Sequence, residues 1–143
     1  MPTVEDAVIL AATLHKGQKD KAGAAYIFHP LRVMLRLQTE EEQIVGVLHD
    51  TLEDCNISPE ELRVHGYNKN ILEALDFLTK RPEEEEDYNV FIERINQGPE
   101  LARRVKIADL RDNMDLSRFS HPTEKDYRRK EKYERALAIL SST

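Results

Sequence analysis

Helix-start signals recur from one end of this chain to the other, and they constrain the fold more than any other feature. Thr3 is followed by Asp6, Thr39 by Glu42 and Thr123 by Asp126. In each pair a hydroxyl can accept from a backbone N–H while the acid three residues later reaches back, which is the pattern of a capping box. Ser58-Pro59-Glu60-Glu61 opens another helix, with proline where its missing N–H is tolerated. The first helix should fail near Gly17, leaving residues 17–28 as a polar loop before His29-Pro30 opens the second. The segment after Thr39 should run on through Ile-Val-Gly-Val-Leu-His-Asp-Thr-Leu-Glu-Asp to residue 54. Asn70 to Leu78 carries a short apolar pattern, and residues 81–87 read as a charged turn whose acids form a solvated first helical turn. Gly98-Pro99 precedes a helix over Glu100–Leu116, and the last helix runs from Thr123 to about Leu140. No convincing strand pattern interrupts this series. The predicted fold class is all-α, a bundle of seven to eight helices forming a single domain over residues 1–143.

Composition narrows the class of function. A chain of 143 residues is about one domain and can support one core without disulfides or structural metal. With 21 basic and 27 acidic side chains the net charge is −6, which argues against coating a nucleic-acid backbone. No apolar run approaches the ~20 residues of a membrane span, and Met-Pro-Thr-Val-Glu-Asp lacks a signal-peptide layout. Cys55 is the one cysteine, so no internal disulfide is possible and a reducing, cytoplasmic setting is expected. Nothing in the sequence sets an oligomeric state.

The segment around His49 carries the chemistry. At about 100° per residue, Glu53 falls about 40°, Gly46 about 60°, Asp50 about 100° and Asp54 about 140° from His49. Ile44, Val45, Leu48 and Leu52 lie on the other side. One face is therefore apolar, and the other gathers a histidine and three carboxylates around a glycine that leaves open space. The alternative is an ordinary solvated face. Against it stand the apolar flanks and the absence of any Lys or Arg to neutralise the acids. A divalent cation would relieve that crowding.

Further ligands would have to come from other elements, and His29 and Asp109 are available. Lys106, Asp109 and Asn113 share one arc of their helix, flanked on both sides by apolar residues, as expected of a central helix facing an internal cavity. The other readings are an i,i+3 ion pair for Lys106 and Asp109 and a packing role for His29. Two imidazoles with two carboxylates make a nitrogen/oxygen site without thiolate, which suits manganese or iron better than structural zinc.

Three segments together resemble the HD-superfamily hydrolases of the RelA/SpoT type, most closely the small stand-alone (p)ppGpp hydrolases of the metazoan SpoT-homologue kind. They are His-Lys-Gly-Gln-Lys-Asp-Lys-Ala-Gly-Ala-Ala-Tyr-Ile-Phe-His-Pro (15–30), Val-Leu-His-Asp-Thr-Leu-Glu-Asp (47–54) and Val-Lys-Ile-Ala-Asp-Leu-Arg-Asp-Asn-Met (105–114). The resemblance implies an HD-domain bundle with His29, His49, Asp50 and Asp109 as ligands of a divalent metal, usually Mn2+. It implies Glu53 and Asp54 as the catalytic pair that orients and activates water. It implies Lys21, Asn113, Arg129 and Tyr133 as contacts of a small-molecule nucleotide. The activity implied is removal of the 3′-pyrophosphate of guanosine 3′,5′-bis(diphosphate), without a synthetase half.

One position departs from the pattern. The family loop reads Gly-Gln-x-Arg-Lys-x-Gly, and this chain has Asp20 in place of the arginine. The change reverses a charge beside the expected nucleotide and keeps three alternatives open. They are an HD phosphohydrolase acting on NADPH or a nucleoside phosphate, a non-catalytic nucleotide sensor, and a helical interaction module with no site.

Overall fold

The predicted helix starts close as capping boxes: the side chains of Thr3, Thr39, Ser58 and Thr123 each accept from the backbone N–H three residues on. The computed structural model describes residues 1–142. Its helices are α1 (Val4–His15), α2 (Phe28–Leu35), α3 (Glu40–Leu48), α4 (Thr51–Asp54), α5 (Pro59–Val64), α6 (Lys69–Leu78), α7 (Tyr88–Asn96), α8 (Glu100–Asn113) and α9 (Glu124–Ser141). Counting α3 and α4 as one interrupted helix, the all-α bundle has eight among the described residues. Among the described residues the only β pairing is an isolated bridge between Lys19 and Ala25, inside the α1–α2 loop. Gly17 (φ +89°) and Gly66 (φ +101°) stop α1 and α5 in the left-handed region that side chains avoid.

Three local expectations need correction. The helix carrying His49 is not continuous to residue 54. The Thr51 hydroxyl donates to the Leu48 carbonyl at 2.7 Å, backbone geometry relaxes at Asp50 (φ −97°, ψ −4°), and one further turn follows as α4. A hydroxyl that captures a carbonyl of the preceding turn competes with the helix ladder and bends it. Gly46 does not open space beside the ligands either. A Cβ there would lie 2.7 Å from Leu37 Cδ1 and 3.4 Å from Met34 Cα, so this glycine lets α3 approach α2 closely. Finally, the acidic run 83–87 is not a uniformly solvated first turn. Pro82–Glu84 is a 3₁₀ turn, and Glu84 is buried, accepting from Arg94 Nε at 2.8 Å and from the Arg81 N–H at 2.9 Å.

Two helices form the centre. α3 packs against α1, α2, α6 and α8, while α8 packs against α2, α3, α6, α7 and α9. Ile44, Val45, Val47 and Leu48 are fully buried on α3, as are Val105 and Leu110 on α8. Each such side chain contributes about 1.5–3 kcal/mol by leaving water. With apolar residues fixing α3 and α8 side by side, the polar residues at their edges, His49-Asp50 and Asp109, are forced to face one another.

Candidate active site

His29 enters from the first turn of α2, His49 and Asp50 from the break between α3 and α4, and Asp109 from the middle of α8. His29 Nε2 lies 2.9 Å from Asp109 Oδ1, and His49 Nε2 lies 3.1 Å from the same oxygen. Asp50 Oδ2 is 3.1 Å from His49 Nε2 and 3.6 Å from His29 Nε2. His29, His49 and Asp50 each offer a ligand atom within 4.8 Å of the others. The sequence-predicted quartet therefore converges, and its two imidazole nitrogens and facing carboxylate oxygens form a donor set that could hold a divalent metal.

The surroundings bias each group's charge. Burial alone would push the His49 imidazole down, but Asp50 and Asp109 outweigh it and hold it well above its ordinary value. Burial would push Asp109 up, yet Lys106 and His49 hold its carboxyl well below the usual range. Lys106 Nζ sits 2.8 Å from Asp109 Oδ2, and Asn113 Nδ2 donates to Asp109 Oδ1 at 3.1 Å. So Lys106, Asp109 and Asn113 do share one face, and the ion pair weighed against a cavity role coexists with it. Tyr26 donates to Asp50 Oδ2 at 2.5 Å, tying the ligand loop to the α3–α4 break.

A small cavity of about 180 Å³ opens above this cluster, lined by Glu53, Lys80, Lys106, Asn113, Lys132 and Tyr133 among others. Glu53 faces it, with one carboxylate oxygen accepting from the Lys80 backbone N–H. Burial and the charge of Asp50 raise its pKa. Asp54, exposed like Glu53, is not part of the cavity wall; partial desolvation of its carboxyl and the charge of Asp50 raise it too. The cavity shares Tyr26, His29, Asn113 and Tyr133 with a second, larger chamber of about 320 Å³. Lys19, Lys21, Arg32, Arg118 and Arg129 bring cations to that chamber, and Leu116 and Phe119 bring apolar surface. Burial together with the neighbouring charges of Arg129 and Lys125 lowers the Lys21 pKa. Lys132 is lowered by burial and by Lys80, Lys21, Lys106 and Arg129. Cations that depress one another in this way offer a place for an anion.

Asp20 also finds a role. Its Oδ1 accepts from the N–H groups of Ala22 and Ala24, both at 2.9 Å, so it builds the turn that presents Lys21. Sequence reasoning missed Lys80 and Lys132, whose loop and α9 positions carry no periodic signal. It also passed over Asp112, although that residue lies one helical turn beyond Asp109 on α8. His65 and His121, the remaining surface histidines, line neither chamber. Cys55 Sγ lies 3.4 Å from Nδ1 of the buried His15, and burial raises the thiol's pKa. No helix of the described residues is long and apolar enough to cross a membrane.

Known proteins resemble this chain in sequence and in fold. No family model matches the chain. It is 29% identical to human guanosine-3′,5′-bis(diphosphate) 3′-pyrophosphohydrolase MESH1, across 94% of this chain and 81% of that one. Identity is 31% to a pyrophosphohydrolase of the same name from Aquifex aeolicus, over 78% of this chain, and 40% to one from Borreliella burgdorferi, over 52% of it. The chain spans only 17% and 12% of the length of those two bacterial relatives. A solved structure of a metazoan ortholog of SpoT, described as hydrolysing ppGpp, superposes with a TM-score of 0.80 at 21% identity, covering 98% of this chain and 86% of that one. The two share the fold.

Proposed function

We propose that this chain is a metal-dependent phosphohydrolase of the RelA/SpoT type within the HD superfamily, and that it removes the 3′-pyrophosphate of guanosine 3′,5′-bis(diphosphate). The observation that carries this reading is the convergence of His29, His49, Asp50 and Asp109 at the floor of a cavity that opens into a cation-lined chamber. The donor set fits a divalent ion, Mn2+ in our reading, because it mixes neutral imidazole with carboxylate and contains no thiolate. Such an ion supplies a lower pKa for water and positive charge against the phosphate oxygens.

The protein's own groups then have distinct tasks. Glu53 takes the proton of the attacking water, which its raised pKa suits. Asp54, beside it on α4, assists from the exposed side. The water oxygen bonds to the phosphorus, the P–O bond to the ribose 3′ oxygen breaks, and that oxygen takes up a proton, so that pyrophosphate and guanosine 5′-diphosphate are released. Lys80, Lys106 and Lys132 offset charge on the reacting phosphates at the small cavity. Lys21, Arg129, Asn113 and Tyr133 hold the remainder of the nucleotide in the larger chamber. A pocket of this size, part apolar and part cationic, fits one nucleotide rather than a nucleic-acid strand.

A second reading, hydrolysis of another nucleotide such as NADPH, is favoured by Asp20 in place of a loop arginine. Metal analysis of the purified protein followed by product assays with ppGpp, NADPH and simple nucleotides in Mn2+ tests both. Pyrophosphate release from ppGpp above all others is expected. Turnover of NADPH alone would move the assignment to the second reading, and bound metal with no turnover of any nucleotide would overturn both.

A further inference from the structure

The two histidines of the metal cluster are held in different ways. His49 Nδ1 donates to the Gly46 carbonyl at 2.6 Å, a backbone acceptor that no substitution removes. His29 Nδ1 instead faces a carboxylate, Asp112 Oδ2, at 2.6 Å. Asp112 is fully buried, and its other partners are cations: Arg32 Nε donates to Oδ1 at 2.7 Å and Arg32 Nη2 to Oδ2 at 3.1 Å. Arg118 Nη1 adds charge from 3.8 Å. With the Arg32 guanidinium donating to both of its oxygens, the Asp112 carboxylate is placed to accept from His29. The proton between Asp112 and His29 therefore belongs to Nδ1, and Nε2 is the nitrogen left to face Asp50 and Asp109.

We propose that Asp112, fixed by Arg32, is a positioning residue that locks His29 with its Nε2 toward the metal cluster and strengthens it as a ligand. The inference rests on the reading that His29, His49, Asp50 and Asp109 hold a divalent ion. The physical reason is general: an imidazole that donates its far N–H to a carboxylate is oriented by that bond and made a better electron donor at the near nitrogen. The arrangement also has a direction. Arg32 lines the larger chamber, so Asp112 joins the wall of the proposed nucleotide site to the metal cluster through side chains in direct contact.

Asp112→Asn keeps the shape but removes the charge. Mn2+ affinity, read by the EPR signal of free ion, should fall about 10–100-fold. Arg32→Ala leaves the carboxylate in place, so its loss should be smaller. Circular dichroism and the melting midpoint of the metal-free proteins report folding separately. With Zn2+ as a diamagnetic probe, the wild type should show a far-downfield His29 Nδ1 proton resonance that Asp112→Asn lacks. A role in packing alone would not move that signal. Affinity within twofold of wild type in a folded Asp112→Asn, or absence of the resonance in the wild type, would overturn the proposal while leaving the metal reading intact. A wild type that binds no Mn2+ would remove both.

Discussion

The floor of the site and its rim obey different rules. On the floor, His29, His49 and Asp109 are buried and each is held by two or more named partners, at least one of them on another helix. On the rim, Lys19 and Lys21 are exposed on a loop, and Arg129 is half-buried on α9, paired with Asp126 one turn earlier. The floor is acidic and the rim cationic, within a chain whose net charge is −6. The difference teaches where precision is needed. Chemistry on a phosphate tolerates little displacement of the groups that hold the ion and the water, so those groups are over-determined by packing. Recognition of a charged, flexible nucleotide tolerates more, and long cationic side chains at an open mouth can adjust to it.

The sharpest way to break this contrast is at the floor. His49→Ala should abolish metal binding and turnover together. In the wild type, Mn2+ at 100 times its Kd should stabilise the fold by about 2.7 kcal/mol, which raises Tm by roughly 5–11 °C for a domain of this size; the variant should show no rise in a thermal melt. A variant that still gained the full shift would mean the ion binds elsewhere.

Glu53→Gln probes the step between floor and rim. Metal affinity should stay near wild type while kcat falls about 10²–10⁴-fold, the usual worth of a general base. Steady-state kinetics at saturating Mn2+ decide it, and a near-normal kcat would remove Glu53 from the role of base.

The rim should respond more mildly. Lys21→Ala is expected to raise KM about 10-fold with a smaller change in kcat, in line with the loss of about 1.4 kcal/mol of ground-state binding. The wild-type KM should rise with ionic strength, and the variant's should rise less. A kcat loss as large as that of Glu53→Gln would erase the distinction between the two regions.

The smallest effect on catalysis belongs to the wall between them, where a change is read in stability instead. Arg94 donates to Glu84 and to the Thr79 carbonyl at 2.9 Å, pinning the segment whose Lys80 N–H meets Glu53. The hydrogen bond from Arg94 holds the Glu84 carboxyl below its ordinary value. A carboxylate depressed on folding contributes stability above its unfolded pKa, and that stability is lost as pH falls through the folded value. Glu84→Gln should therefore cost about 1–3 kcal/mol at pH 7. Its melting curve should converge on that of the wild type as the pH is taken well below the ordinary glutamate range. A gap that stays constant with pH would show that packing, not the ionised pair, accounts for the loss.

Much of this was legible before folding. The caps at Thr3, Thr39, Ser58 and Thr123 are local, made by residues three positions apart, so the chain's own spacing announces them. The arc of Lys106, Asp109 and Asn113 was equally readable, because α8 is an unbroken helix and the wheel applies to it. The wheel misled at Asp50 and Glu53 because Thr51 turns its hydroxyl back on Leu48, a choice between two hydrogen bonds that periodicity does not report. Glu84 was read as solvated because its partner, Arg94, lies ten residues away across a turn.

By itself the sequence determined the helices and the identity of the groups that could bind an ion, since both follow from residue type and short-range spacing. Only the tertiary structure decided that His29 and Asp112, 83 positions apart, would pair through a hydrogen bond, and that Asp20 would shape a loop. Those outcomes depend on which buried groups are left for one another once the apolar faces of α2, α3 and α8 have packed, and that remainder is a property of the whole core rather than of any segment.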